Sequence, residues 1–107
     1  MHTLEQFTED VRNIVAKNPQ FKGTAKFILP EGCVYIHANQ EPAYVDNSDA
    51  EADCSIKLSL ETAYKLMSGE LNNFTAFTLG KLKVYGSMGK AAVIGQILSD
   101  VAKSKKQ

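Results

Sequence analysis

From residue 88 onward the sequence reads as a long helix with more apolar surface than one contact can use. At 100° per residue, Met88, Ala91, Ile94, Gly95, Ile97, Leu98, Val101 and Ala102 cover about half of the circumference. Gln96, Asp100 and Lys103 hold a narrow polar strip. Packing on one sheet needs a stripe of only ~100°. The excess calls for a second element, a ligand or a partner. Ala91, Ala92 and Gly95 are small, so the helix is notched near its start. Two readings stay open: close packing of helix on sheet, or a hollow in front of the notch.

The rest of the chain supplies that sheet. Residues 3–17 place Leu4, Phe7, Val11, Ile14 and Val15 at helical spacing, and Asn18-Pro19 ends the pattern. Period-two alternation follows. Phe21, Ala25, Phe27 and Leu29 share one side, Pro30-Glu31-Gly32 turns the chain, and residues 33–38 return with Val34 and Ile36 set against Tyr35 and His37. Residues 39–52 are polar, with a short strand predicted at Ala43-Tyr44-Val45. Residues 53–58 alternate again, with Cys54, Ile56 and Leu58 inward. Ser59 caps a short helix that stops at Gly69, and Asn72 or Asn73 caps one or two turns carrying Phe74, Ala76 and Phe77. A last strand is predicted over residues 79–86, then Gly86-Ser87 breaks it and caps the final helix.

Several functions are excluded as expectations. Hydrophobic residues at 44% and charged residues at 22% describe a globular chain, read as a single domain over residues 1–107. Lys plus Arg and Asp plus Glu are 12 each, so the basic excess of a nucleic-acid binder is missing and no nucleic-acid partner is expected. No uncharged run approaches the ~20 residues needed to span a bilayer. With no signal-like start and no S-K-L tail, the expected location is cytoplasmic. Charge is uneven along the chain. Residues 41–61 are acidic, with Lys57 the one base, whereas residues 81–107 are basic, with Asp100 the one acid. The basic C-terminal region reads either as a solvated face or as a weak, transient docking surface for anionic headgroups or acidic partners.

Catalytic chemistry is thin. His2 is terminal, and His37 is four strand residues from Cys33, ~13 Å away. Cys33 and Cys54 read as free thiols, and Cys54 as an inward, inert one. No HExxH, zinc-spaced cluster, GxSxG or phosphate-cradling glycine loop occurs. The reading is therefore no catalytic residue, no metal and no cofactor.

Three runs together carry a resemblance. They are Ala52-Asp53-Cys54-Ser55-Ile56-Lys57-Leu58, Leu66-Met67-Ser68-Gly69-Glu70-Leu71-Asn72, and the segment reading A-F-T-L-G-K-L-K-V-Y-G-S-M-G over residues 76–89. In that order they resemble the sterol carrier protein type two family. Asn73 stands where many members have proline, and Ser87 where many have an acid or amide; both keep capping chemistry. The resemblance implies an α+β fold, a five-stranded mostly antiparallel sheet with helices covering one face and a hydrophobic tunnel between the layers. It implies binding of a fatty acid, acyl-CoA, phospholipid or sterol without catalysis. Met88, Ala91, Ala92, Gly95 and Leu98 would then face the tunnel, with Phe74, Phe77, Leu79, Leu82 and Val84 lining it further. The alternative is an interaction or accessory module whose apolar helix face docks on a partner or on itself, and the oligomeric state stays open.

Overall fold

The computed structural model describes residues 2–105; Lys106 and Gln107 of the basic C-terminal reading lie outside the described residues. The elements run α1 (Leu4–Ala16), β1 (Thr24–Leu29), β2 (Gly32–His37), β3 (Tyr44–Asp46), β4 (Cys54–Lys57), α2 (Leu60–Ser68), α3 (Asn73–Thr78), β5 (Lys83–Gly86) and α4 (Met88–Lys105). Each helix begins on the residue chemistry that favours it. Thr3 Oγ1 accepts from the Gln6 N–H, Ser59 Oγ from Thr62, Asn72 Oδ1 from Thr75 and Ser87 Oγ from Lys90.

The five strands form one sheet in the order β3-β2-β1-β4-β5. β1 pairs with β4 in parallel, and every other neighbouring pair is antiparallel. Alternation turns Ala25, Phe27, Val34, Ile36, Val45, Cys54 and Ile56 to one buried face. On that face α1 lies over β2 and β3, α4 crosses β1, β4 and β5, and α2 packs against α4. Phe7 of α1 is fully buried and meets the Phe27 ring edge-on, with centroids 5.3 Å apart. The wide apolar arc of α4 is thus partly covered by α2 and α1.

The opposite face is crossed by residues 47–53, which carry the chain from the edge strand β3 to β4. Lys26 Nζ donates to Asp49 Oδ1 at 2.8 Å, Asn47 Nδ2 to the Cys33 carbonyl at 2.8 Å, and the Tyr35 hydroxyl to the Glu51 carbonyl. This crossing explains one departure from the sequence reading. Alternation sets Tyr35 outward, yet it is buried, because the crossover lies over it.

The last strand is also shorter than the alternation predicts. The turn at residues 79–81 closes the end of α3, and β5 begins only at Lys83. The Leu79 N–H donates to the Thr75 carbonyl and the Lys81 N–H to the Ala76 carbonyl, both at 2.9 Å, around Gly80 at φ +75°. That is the left-handed helix ending that glycine favours.

Candidate functional site

Two local devices bring α3, β5 and α4 together. At the end of β5, Gly86 adopts φ +84°, and the Ser87 N–H donates to the Asp53 carbonyl at 2.8 Å. A Cβ on Gly86 would lie 2.5 Å from that same carbonyl oxygen, so only glycine lets the strand turn this closely into α4. At the start of α3, Asn73 Nδ2 donates to the Gly95 carbonyl and to Ser99 Oγ, each at 2.9 Å. The short helix is thereby pinned across the notch in α4.

Between these elements lies a cavity of about 310 Å³. Ile56, Leu66, Ala91 and Leu98 are buried and form its floor, while Phe74, Phe77 and Met88 are exposed and stand at its rim. Leu82, Val84, Ala92 and Gly95 complete the apolar wall, and Asn73 and Gln96 are its polar members. Nine of the ten residues expected around a tunnel therefore meet here: Phe74, Phe77, Leu82, Val84, Met88, Ala91, Ala92, Gly95 and Leu98. Leu79 does not. The α3 ending turns it outward, where it is 61% exposed. Sequence reasoning missed Leu66, Asn73 and Gln96 as lining residues, and placed Ile56 inward without assigning it to a hollow. The capping preference at residues 72–73 was the available signal for Asn73.

Under α1, the side chains of Val11, Ile14, Val15, Phe27, Ile36, Ile94 and Ile97 leave a space of only about 10 Å³. Leu98 borders both this space and the cavity. A larger hollow of about 530 Å³ lies beside α2, where the charged Glu31, Glu61, Lys65 and Glu70 mix with Leu60, Tyr64 and Met67. Tyr64 on its wall stacks on His2 at 3.6 Å and donates to Asp10; burial, then that carboxylate, pushes its phenol well above the ordinary value of 10.0.

The reactive side chains lie away from the cavity. Cys54 is fully buried, and burial pushes its thiol up. Cys33 is half-buried beside Asp49, with its thiol raised first by burial and then by that carboxylate. His37 stacks on Tyr44, with Nε2 3.4 Å from Asp46. Arg12 pairs with Glu9 and donates to the Val45 carbonyl at 2.9 Å. Among the described residues no group of three or more His, Cys, Asp or Glu is placed to hold a metal ion, and no helix is long and apolar enough to cross a membrane.

Comparison with known proteins agrees with this arrangement. Sterol carrier protein 2 of Bos taurus is 37% identical over 67 residues, which are 63% of this chain and 12% of that protein. The chain thus spans a small part of the length of the curated relatives it matches. In fold it is similar to sterol carrier protein domain 2 of Helicoverpa armigera, with TM-score 0.75 and 24% identity over 92% of this chain and 87% of that one. It is also similar to palmitated SCP2L2 from Aedes aegypti, with TM-score 0.67 and 20% identity over 91% and 95% of the two chains. The sequence pattern of the SCP-2 sterol transfer family matches residues 4–99, from the start of α1 through most of α4 and across the whole cavity, and the chain belongs to that family.

Proposed function

We propose that this protein is a non-catalytic carrier that takes up the chain of one long-chain lipid in the cavity between α3, β5 and α4. The cavity itself carries the reading: about 310 Å³, apolar except for Asn73 and Gln96, with no titratable side chain among its described lining residues. That volume sits at the lower end of the ~300–1,000 Å³ typical of small-molecule sites. It suits a slender chain better than a broad ring system. The palmitated relative from Aedes aegypti, which shares the fold, supports the same ligand class.

Energetics favour a carrier over a store. Burying ~14 methylenes at ~0.8 kcal/mol each contributes roughly 11 kcal/mol at most. Association costs at least ~4 kcal/mol, which leaves a dissociation constant of roughly 10 μM or weaker. Such binding is readily reversible, and affinity follows chain length more than headgroup.

Displacement of a fluorescent fatty acid tests the reading, paired with native mass spectrometry of the purified protein. Wild type is expected to bind the probe and to release it to unlabelled fatty acid. Ala92→Trp, which fills the notch from an exposed helix position, is expected to abolish uptake while leaving the melting temperature of the protein without ligand nearly unchanged. Uptake that survives this substitution would place the ligand elsewhere.

A further inference from the structure

We infer that Asn73 sets the headgroup preference of the cavity. Its side-chain oxygen accepts a hydrogen bond from the polar end of the bound molecule, so a long-chain alcohol is held in preference to the ether or the carboxylate of the same chain. The inference rests on the carrier reading of the cavity and adds the polar end of the ligand to it.

The Asn73 amide has two N–H hydrogens and one acceptor oxygen to place. Nδ2 donates to the Gly95 carbonyl and to Ser99 Oγ, each at 2.9 Å, so both hydrogens are used within the fold. The Gly95 carbonyl can only accept, which requires the amide nitrogen to face it and fixes the other branch of the side chain as oxygen. Among the described residues nothing donates to that Oδ1. Asn73 is half-buried, and its Oδ1 stays accessible instead of being sealed in the packing. It lies 3.6 Å from the place a Cβ on Gly95 would take, at the notch that forms part of the cavity wall. The wall thus offers an acceptor with an open lone pair and no hydrogen to give.

The rest of the wall does not offset this. No lysine or arginine is among the described lining residues. Gln96, the other polar member, is exposed, and its Nε2 donates to Asp100 Oδ1 at 2.9 Å. Lys103 Nζ in turn stands 3.9 Å from Asp100. The charge that Gln96 holds beside the cavity is therefore a carboxylate, with a lysine already next to it.

A hydroxyl group can donate to Oδ1 and still accept from water at the mouth. An ether of the same chain has no hydrogen to donate. A carboxylate carries acceptors only, so it would meet Oδ1 with no proton between them and give up its hydration without a partner. It stays in water at the mouth, and part of the chain stays out with it. One hydrogen bond of this kind favours the alcohol over the ether by about fivefold. That equals the effect of roughly one or two methylenes, so chain length still dominates affinity.

The test compares dodecanol, dodecyl methyl ether and dodecanoate as competitors of the fluorescent fatty acid on the intact protein. Dodecanol is expected to displace the probe about fivefold better than the ether and about tenfold better than dodecanoate. In Asn73→Leu, which keeps the side-chain size and removes the acceptor, the gap between alcohol and ether is expected to vanish. Loosening of α3 by the same change lowers all three competitors alike and leaves that gap in place, so the gap separates acceptor from tether. The side-chain amide resonances of Asn73 in the unsubstituted protein give a second readout that needs no variant: dodecanol is expected to shift them and the ether to leave them unmoved. Equal displacement by alcohol and ether, amide resonances that respond alike to both, or a gap that survives Asn73→Leu overturns the assignment and leaves the carrier reading standing. Failure of the protein to bind the probe or any of the three competitors sinks the carrier reading, and this inference with it.

Discussion

The side-chain amide of Asn73 donates to the main-chain carbonyl oxygen of Gly95 at 2.9 Å, and through this bond the shortest helix of the fold is fixed to the longest. A Cβ on Gly95 would lie 3.2 Å from Asn73 Nδ2, close enough that the amide would have to give by a few tenths of an ångström. Asn73→Ala removes this bond and the one to Ser99, at an expected cost of about 1–2 kcal/mol in urea or thermal unfolding. Because α3 carries Phe74 and Phe77, weaker uptake of the fatty-acid probe is expected as well. Gly95→Ala is expected to weaken uptake without a matching loss of stability, because the helix gains roughly 1 kcal/mol from replacing glycine.

The turn from β5 into α4 gives a second prediction. Gly86 combines φ +84° with an approach of 2.5 Å between its would-be Cβ and the Asp53 carbonyl oxygen. Gly86→Ala therefore adds backbone strain to a clash against main chain, together about 2 kcal/mol or more. A fall in melting temperature of roughly 8 °C or more is expected in calorimetry. A fall of only a degree or two would show that the junction relaxes freely.

Leu98 divides the cavity from the filled region under α1. Leu98→Ala is expected to cost about 2–5 kcal/mol, as other truncations of buried leucines do. It should also join the cavity to the small space beside Ile94 and Ile97. A shift in preference toward longer or bulkier chains in competition assays is the expected functional result, and an unchanged preference counts against a ligand reaching that depth.

The crossover over the open face predicts a pH dependence. The hydrogen bond from Lys26 holds the Asp49 carboxyl below its ordinary value of 3.8, and the same bond lifts the Lys26 ammonium above 10.5. The carboxylate's contribution is complete above its unfolded value and is lost as pH falls through the depressed folded one. The ammonium's contribution is complete below its unfolded value and is lost as pH rises through the raised one. The difference in melting temperature between wild type and Asp49→Asn is therefore expected to be level through neutral pH. It should shrink only below about pH 3.8 and above about pH 10.5. A difference that changes around pH 6 to 8 would implicate a group outside this pair.

Much of this architecture is legible in residue chemistry. Ser59 and Thr3 announce their helices, Phe27 and Val34 their strand faces, and the small residues of α4 the place where a hollow opens. Leu79 shows where such reading fails. It adjoins the alternation of Leu82 and Val84 against Lys81 and Lys83, which looks like strand, but Gly80 at φ +75° ends α3 there through local hydrogen bonds. Tyr35 fails for a different reason, since alternation carries no information about a loop that returns over the far face. The parallel pairing of Ala25 with Cys54 is likewise a long-range choice that neither segment announces. Asn73 reads from sequence as an alternative cap, a role the structure gives to Asn72, and its tether was not legible because its partners lie 22 and 26 residues away.

Every residue described as lining the cavity lies at or beyond Ile56, while α1, β1, β2 and β3 all lie before the crossover. The first half of the chain is scaffold, and the second half is instrument. Substitutions confined to one contiguous stretch can therefore reshape the cavity while the platform beneath it is left unchanged.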